Sequence, residues 1–164
     1  MMDIKVRQAK KEDIDRICEI DRKSFNHLWA RGTFEADLED EMKAIWVAES
    51  DGKVLGYLDA FVLPSVNGEI LRIATDPEYR KQRVAHNLLN FMLCYCNLIA
   101  AEKALLEVNS ENEAAIALYK SFDFKEDGRR EKYYDGKYDA ILMSRTVSLE
   151  SRVLQLDIED GLYD

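Results

Sequence analysis

A chain of 164 residues suits one domain with one sizeable core, and 47% hydrophobic with 34% charged residues is the balance of an ordinary globular protein. Its net charge of −9 excludes a broad electrostatic grip on nucleic acid or anionic lipid, and it suits cationic partners such as amines or basic peptides. The opening MMDIKVRQAKKED lacks the apolar run of a secretory signal and no stretch approaches membrane-spanning length, so the expectation is cytoplasmic, with no membrane and no direct nucleic acid partner.

Ile4 to Ala9 alternates apolar and polar residues, which predicts a strand. Ile14, Ile17, Cys18, Ile20 and Phe25 then recur at helical spacing behind an acidic first turn. Residues 26–32 read as a loop carrying His27, Trp29 and Arg31, and Thr33 is placed to cap a short second helix reaching Met42. Two β-rich runs around Asp51-Gly52 predict a hairpin, and a turn over 64–68 leads to a third strand, EILRIAT.

DPEYRKQR is a basic turn ahead of a long helix reaching about Glu102, apolar around most of its girth and therefore expected between layers. ALLEVN is a strand. SENEAAIALYKSF is a helix, with Ser110 as expected cap and Glu113 completing a capping box. Two strands around Asp135-Gly136 close the domain over 1–147, and 148–164 is an acidic tail with one short amphipathic helix. The order β α α β β β α β α β β predicts a mixed α/β sheet with helices on both faces.

The turn before the long helix is the first chemical clue. A strand, a donor-rich turn and a helix N-terminus together make an anion site, with free amides and the helix dipole both favouring negative charge. The amides from Lys81 to His86 would be the donors, with Arg80, Lys81 and Arg83 adding charge. Neither a Walker A loop nor a glycine-spaced dinucleotide motif is present. Cys18, Cys94 and Cys96 read as buried thiols. Cys94 and Cys96 point to different faces of one helix, and His27 and His86 form no cluster, so no metal is expected.

IATDPEYRKQRVAHNLL resembles the acetyl-CoA signature of the GNAT acetyltransferases, Arg/Gln-x-x-Gly-x-Gly/Ala. LLEVNSENEAAIALYKSFDF and REKYYDGKYDAILM resemble the family's second half, in particular the ribosomal-protein alanine N-acetyltransferases of the RimI type. The resemblance covers roughly Ile70 to Met143. It implies a GNAT-type, mostly antiparallel sheet of about seven strands, and an N-acetyltransferase moving acetyl from acetyl-CoA to a primary amine without a metal. Two positions depart from the pattern: Arg83 stands at the first motif glycine, and Asp123 stands for the glycine before Phe124. Arg83 is expected to keep a negative φ and lay its guanidinium along the pyrophosphate.

The resemblance further implies roles for single residues. Glu107 would be the general base, through water, and Tyr119 the general acid for the departing thiolate. Without the motif, Glu107 reads as a strand-end charge and Tyr119 as a core aromatic whose hydroxyl reaches a backbone carbonyl. Ile73, Ala74 and Thr75 would offer backbone groups to the pantetheine arm. Arg80, Lys81, Gln82, Arg83, Val84, Ala85 and His86 would hold the pyrophosphate, with Asn112 and Tyr119 completing the cofactor contacts. His27, Trp29, Tyr133 and Tyr134 would border the acceptor. The implied partner is a protein or peptide N-terminus, a ribosomal protein being the family precedent, for a monomer or homodimer. A small-amine acetyltransferase and a non-catalytic acyl-CoA-binding module are the alternatives.

Overall fold

The computed structural model describes residues 2–147; the expected tail helix lies outside them. Strand β1 (Lys5–Gln8) leads through a 3-10 turn into α1 (Ile14–Ser24) and α2 (Arg31–Glu39). β2 (Lys43–Ser50), β3 (Lys53–Leu63) and β4 (Asn67–Thr75) follow as a meander, then α3 (Val84–Leu98), β5 (Lys103–Asn109), α4 (Glu113–Ser121), β6 (Lys125–Tyr134) and β7 (Tyr138–Thr146). One seven-stranded sheet results, in the order β1-β2-β3-β4-β5-β7-β6. All neighbours are antiparallel except β4 and β5.

Both Asp-Gly hairpins form as expected. Each pair places two residues at positive φ, Asp51 (50°) with Gly52 (77°) and Asp135 (54°) with Gly136 (66°); the first closes a two-residue turn between Ser50 and Lys53, and the second belongs to a three-residue loop between Tyr134 and Tyr138. The inner strands are apolar on both faces because helices cover both. On β2, Ile45 and Val47 join Ile17, Ile20 and Phe34 of α1 and α2, whereas Trp46 and Ala48 join Leu88, Leu89 and Met92 of α3. A Cβ at Gly56 of β3 would lie 2.7 Å from Val84 Cγ1 and 2.8 Å from the Ala74 carbonyl. Glycine there lets the start of α3 sit directly on β3 and β4.

Three helix ends differ from the sequence reading. α2 is capped by Ala30 and starts at Arg31, so Thr33 lies in its first turn, and the helix stops at Glu39. α3 stops at Leu98 because Ala100 takes a left-handed φ of 58°. The cap of α4 is Asn112 and not Ser110: its side-chain oxygen accepts from the Ala115 amide at 3.2 Å. Ser110 instead stays with the sheet, its amide bonded to the Asp139 carbonyl at 2.9 Å.

The feature that creates a site is a failed pairing. β4 and β5 are registered from Asn67–Lys103 to Ile70–Leu106 and no further, although both strands continue. Against β3, Asp59 pairs with Arg72 and Ala60 with Ile70, which leaves Leu71 as an extra residue. Such a bulge bends its strand and raises the local twist. β4 therefore swings away from β5 at Leu71, and residues 71–75 keep one edge without a partner strand.

Candidate active site

The opening between the two strands is a cavity of about 650 Å³. Its β4 wall carries Ile70 to Ile73, and its β5 wall carries Glu107 to Asn109. Asn112, Ala115 and Tyr119 of α4 close one side, while Ser24 to His27 and the hairpin residues Tyr134 and Asp135 close the other. Glu107, Tyr119, Ile73, Asn112, His27 and Tyr134, all anticipated from sequence, thus meet in one place.

Glu107 is about a quarter exposed, and Arg130 of β6 lies 3.2 Å from its Oε1. Tyr119 is 5% exposed, with its ring 5.9 Å from that of Phe124. Burial, and secondarily Tyr134, push its phenol well above the ordinary tyrosine value. No hydrogen bond joins its hydroxyl to a described residue, and its ring belongs to the buried core. Tyr134 is raised in turn by burial and then by Glu107, which places it within electrostatic reach of both residues.

Ala74 and Thr75 continue β4 beyond the cavity lining, and two anticipated acceptor residues sit elsewhere. Trp29 stacks on Phe34 at 5.4 Å and packs with the α1–α2 side of the core. Tyr133 is 53% exposed and rests edge-on against Tyr134 at 5.2 Å, outside the cavity lining.

The anion site at the head of α3 has the expected elements in a different local conformation. Arg83 is the N-cap at φ 68°, in the left-handed region, and not at the negative φ expected; Lys81 is also left-handed at 61°. A motif glycine would take this backbone without strain, so the chain retains the glycine conformation without the glycine. Asp123 repeats the pattern at φ 66°, just past the end of α4. The first helical bond of α3 runs from the Asn87 amide to the Arg83 carbonyl at 2.9 Å, so the amides of residues 84–86 have no helical acceptor. The Arg83 guanidinium lies 2.7 Å from His86 Nε2. Burial, then the charge of Arg83, hold His86 below the ordinary histidine range, so a neutral imidazole accepts this bond. Arg80, Lys81 and Gln82 are exposed.

Asp76 pins this turn to α1. It is 1% exposed, accepts from the Glu78 amide at 3.0 Å, and takes Arg16 at 2.5 Å. Burial opposes its charge, but these donors outweigh that and hold the carboxyl below its usual range.

A second buried aspartate, missed in the sequence, organises the acceptor side. Asp21 is 1% exposed and accepts from Tyr57 Oη (2.6 Å), Arg72 Nε (2.7 Å) and the Trp29 amide (3.1 Å). Arg72 also donates to the His27 carbonyl at 2.6 Å and lies over the Phe25 ring at 3.7 Å. The bulged strand thus holds the α1–α2 loop, and His27 Nε2 reaches Asp135 Oδ1 at 2.5 Å across the cavity mouth. No local pattern marks partners 51 and 36 residues apart; a lone aspartate in an apolar helix face was the available signal.

A family model described as "Acetyltransferase (GNAT) family" matches residues 14–124, more than half of the chain. The chain belongs to the GNAT acetyltransferase family. It is 34% identical over 145 residues to a Bacillus subtilis protein provisionally named a ribosomal protein bS18-alanine N-acetyltransferase, covering 87% of this chain and 95% of that one. It is also 34% identical over 155 residues to the N-alpha-acetyltransferase of Saccharolobus solfataricus, covering 87% and 93%. Among solved structures, the ribosomal-protein-S18-alanine N-acetyltransferase of Escherichia coli superposes with a TM-score of 0.83 at 27% identity, covering 90% of this chain and 96% of that one. The GNAT fold and an N-acetyltransferase activity follow from these likenesses. No described helix is long and apolar enough to cross a membrane, and no group of three or more possible metal ligands occurs among the described residues.

Proposed function

We propose that this GNAT enzyme acetylates the N-terminal α-amine of a protein, with a ribosomal protein as a precedent among its relatives. The observation that carries the reading is the meeting of Glu107 and Tyr119 in one cavity, beside the unpaired edge of β4.

The residues present fit acetyl-CoA. Unbonded amides at 84–86 with Arg80, Lys81 and Arg83 suit a pyrophosphate, and the open edge at Ile73, Ala74 and Thr75 suits an amide-bearing arm. Gln82, Val84, Ala85, His86 and Asn112 complete that surface, although the Asn112 oxygen already caps α4. When bound, the coenzyme supplies an activated acyl carbon. Glu107 accepts a proton from the acceptor amine through water. An α-amine, with a reference pKa of about 7.7–8.0, gives up that proton far more readily near neutrality than a lysine amine at about 10.4. Tyr119 stays protonated at neutral pH and hands its proton to the sulfur that leaves. The Asp21–Arg72 pair holds the loop bearing His27, and Tyr134 faces it from the hairpin, so an extended N-terminus would pass between these walls.

Mass spectrometry after incubation with acetyl-CoA and panels of N-terminal peptides and polyamines tests this reading. Acetyl on peptide α-amines is the expected result. Acetyl confined to polyamines would replace it with the small-amine reading, and coenzyme binding with no product would leave the binding-module reading.

A further inference from the structure

One contact at the head of α3 joins two groups for which a bound anion competes. The backbone of Arg83 is fixed there, because its carbonyl accepts from the Asn87 amide at 2.9 Å and from the Asn87 side-chain Nδ2 at 2.7 Å. Its guanidinium folds back onto the first turn and lies 2.7 Å from His86 Nε2. A guanidinium has donors only, so Nε2 is the acceptor and the imidazole carries its single proton on Nδ1.

His86 is half-buried in the first turn of α3, with its ring 4.8 Å from that of Phe122. The charged groups around it are Arg80, Lys81 and Arg83 in the turn ahead, and Lys120 and Asp123 on either side of Phe122 at the end of α4. Asn87 and Asn90 on α3 itself are uncharged. Burial, then Arg83, disfavour a second proton on the ring, and the dipole at a helix N-terminus acts in the same direction. A bound anion reverses two of these effects, since it faces the dipole and neutralises the guanidinium.

We propose that His86 is a proton-linked ligand of the coenzyme phosphates: on binding, Arg83 turns its guanidinium from Nε2 to a phosphate oxygen, and the freed Nε2 takes a proton from solvent and donates it to the same anion. The new N–H bond forms on the nitrogen lone pair, and nothing is oxidised or reduced. Hydrogen bonds between two charged groups are stronger than one to a neutral nitrogen, which favours the exchange. With the two side-chain nitrogens 2.7 Å apart, an anion that meets one is within reach of the other. Where the family motif has a glycine, this chain therefore has a pair carrying one permanent charge and one acquired on binding. Acetyl-CoA should bind more tightly as pH falls through the histidine range. This regulation rests on the reading of the α3 head as the coenzyme site.

The chain has two histidines, so ring-labelled protein gives two titrating signals in NMR, and His86 is the one lost in His86→Gln. Saturating acetyl-CoA should raise the His86 midpoint by about one pH unit or more. Calorimetry near pH 6.5, in two buffers of different ionisation enthalpy, should show a net uptake of about 0.3 proton or more per coenzyme bound, absent in His86→Gln. From pH 6 to pH 8, wild-type affinity should fall about threefold further than that of His86→Gln. His86→Lys carries its charge before binding, and should hold its affinity at pH 8 without the uptake. A His86 midpoint unmoved by saturating coenzyme, or the same buffer dependence in wild type and His86→Gln, overturns the proposal and leaves acetyl-CoA as the ligand. No heat from wild type with acetyl-CoA in either buffer, and no change in either histidine signal, removes the coenzyme site itself and this inference with it.

Discussion

Asp59 and Asp37 lie together beneath α2, whereas Glu69 and Glu107 share a face of the sheet where β4 leaves β5. Asp59 is fully buried, neither of its oxygens makes a well-formed hydrogen bond, and Lys43 donates to Asp37 at 2.9 Å. Burial first, and Asp37 second, push the Asp59 carboxyl up to about 9, against the pull of Lys43. At neutral pH it is therefore protonated, part of the frame between α2 and β3. The glutamates have the same chemistry in a more open setting: both are partly exposed, and Glu107 has an arginine in place of the lysine and lines the cavity. Solvent access, and not the presence of paired carboxyls, separates a group that can exchange protons with a substrate from one that holds a core together.

The largest expected effect breaks the open pair and its partner across the cavity. Glu107→Gln and Tyr119→Phe should each lower kcat by roughly 10² or more, as removal of a positioned proton donor or acceptor does. Acetyl-CoA affinity, read by calorimetry, should stay within about twofold in both. Glu107→Gln should also leave stability within about 0.5 kcal/mol, since it removes one partly exposed ion pair. A Tyr119→Phe enzyme that turns over at the wild-type rate would return Tyr119 to the core.

The buried pair should behave in the reverse manner. Asp59 has a folded value far above its unfolded one, so the folded state holds an extra proton between about pH 4 and pH 9. Stability from this group is complete below the unfolded value and is lost as pH rises through that window, by at most ~1.4 kcal/mol per pH unit. Asp13 and Asp76 are held below the usual range, so their contributions are lost at the acid end and do not mask this slope. Asp59→Asn keeps a donor toward Asp37 without a titrating proton. Urea melts at pH 6 and pH 8.5 should differ for the wild type and come closer together for Asp59→Asn, with kcat unchanged within about twofold. Equal slopes in both proteins would mean that Asp59 is ionised and paired.

Much of this frame was legible in the sequence, and the reasons are local. The two Asp-Gly turns, the alternation on β2 and the helical spacing in α1 each write their structure into neighbouring residues. Helix ends were less legible: Ser110 and Asn112 are both good caps, and only the pairing of Ser110 with Asp139 decides between them. The site itself was half legible. The family motif pointed to Glu107 and Tyr119, but the parting of β4 from β5 lay in a strand that looked ordinary, because the bulge at Leu71 carries no glycine or proline to announce it. The Asp21–Arg72 tie depends on a fold that brings residues 51 positions apart together. Arg83 misled for a physical reason, since an arginine argues against a left-handed backbone and the surrounding turn overrides that preference.

Arg83 also offers the finest division between frame and site, because one residue serves both in opposite directions. Its backbone is strained and its guanidinium stands at the anion-binding end of α3. Arg83→Gly relieves the left-handed penalty and should stabilise the fold by about 1 kcal/mol, measured at a fixed pH where Asp59 is protonated. The same change removes a positive charge beside the free amides, so coenzyme affinity should fall severalfold at low salt and less at high salt. Arg83→Ala keeps the strain and loses the charge, and should show the affinity loss without the gain in stability. If Arg83→Gly instead binds acetyl-CoA more tightly at every salt concentration, the arginine side chain obstructs the cradle, and close approach of the backbone outweighs charge at this position.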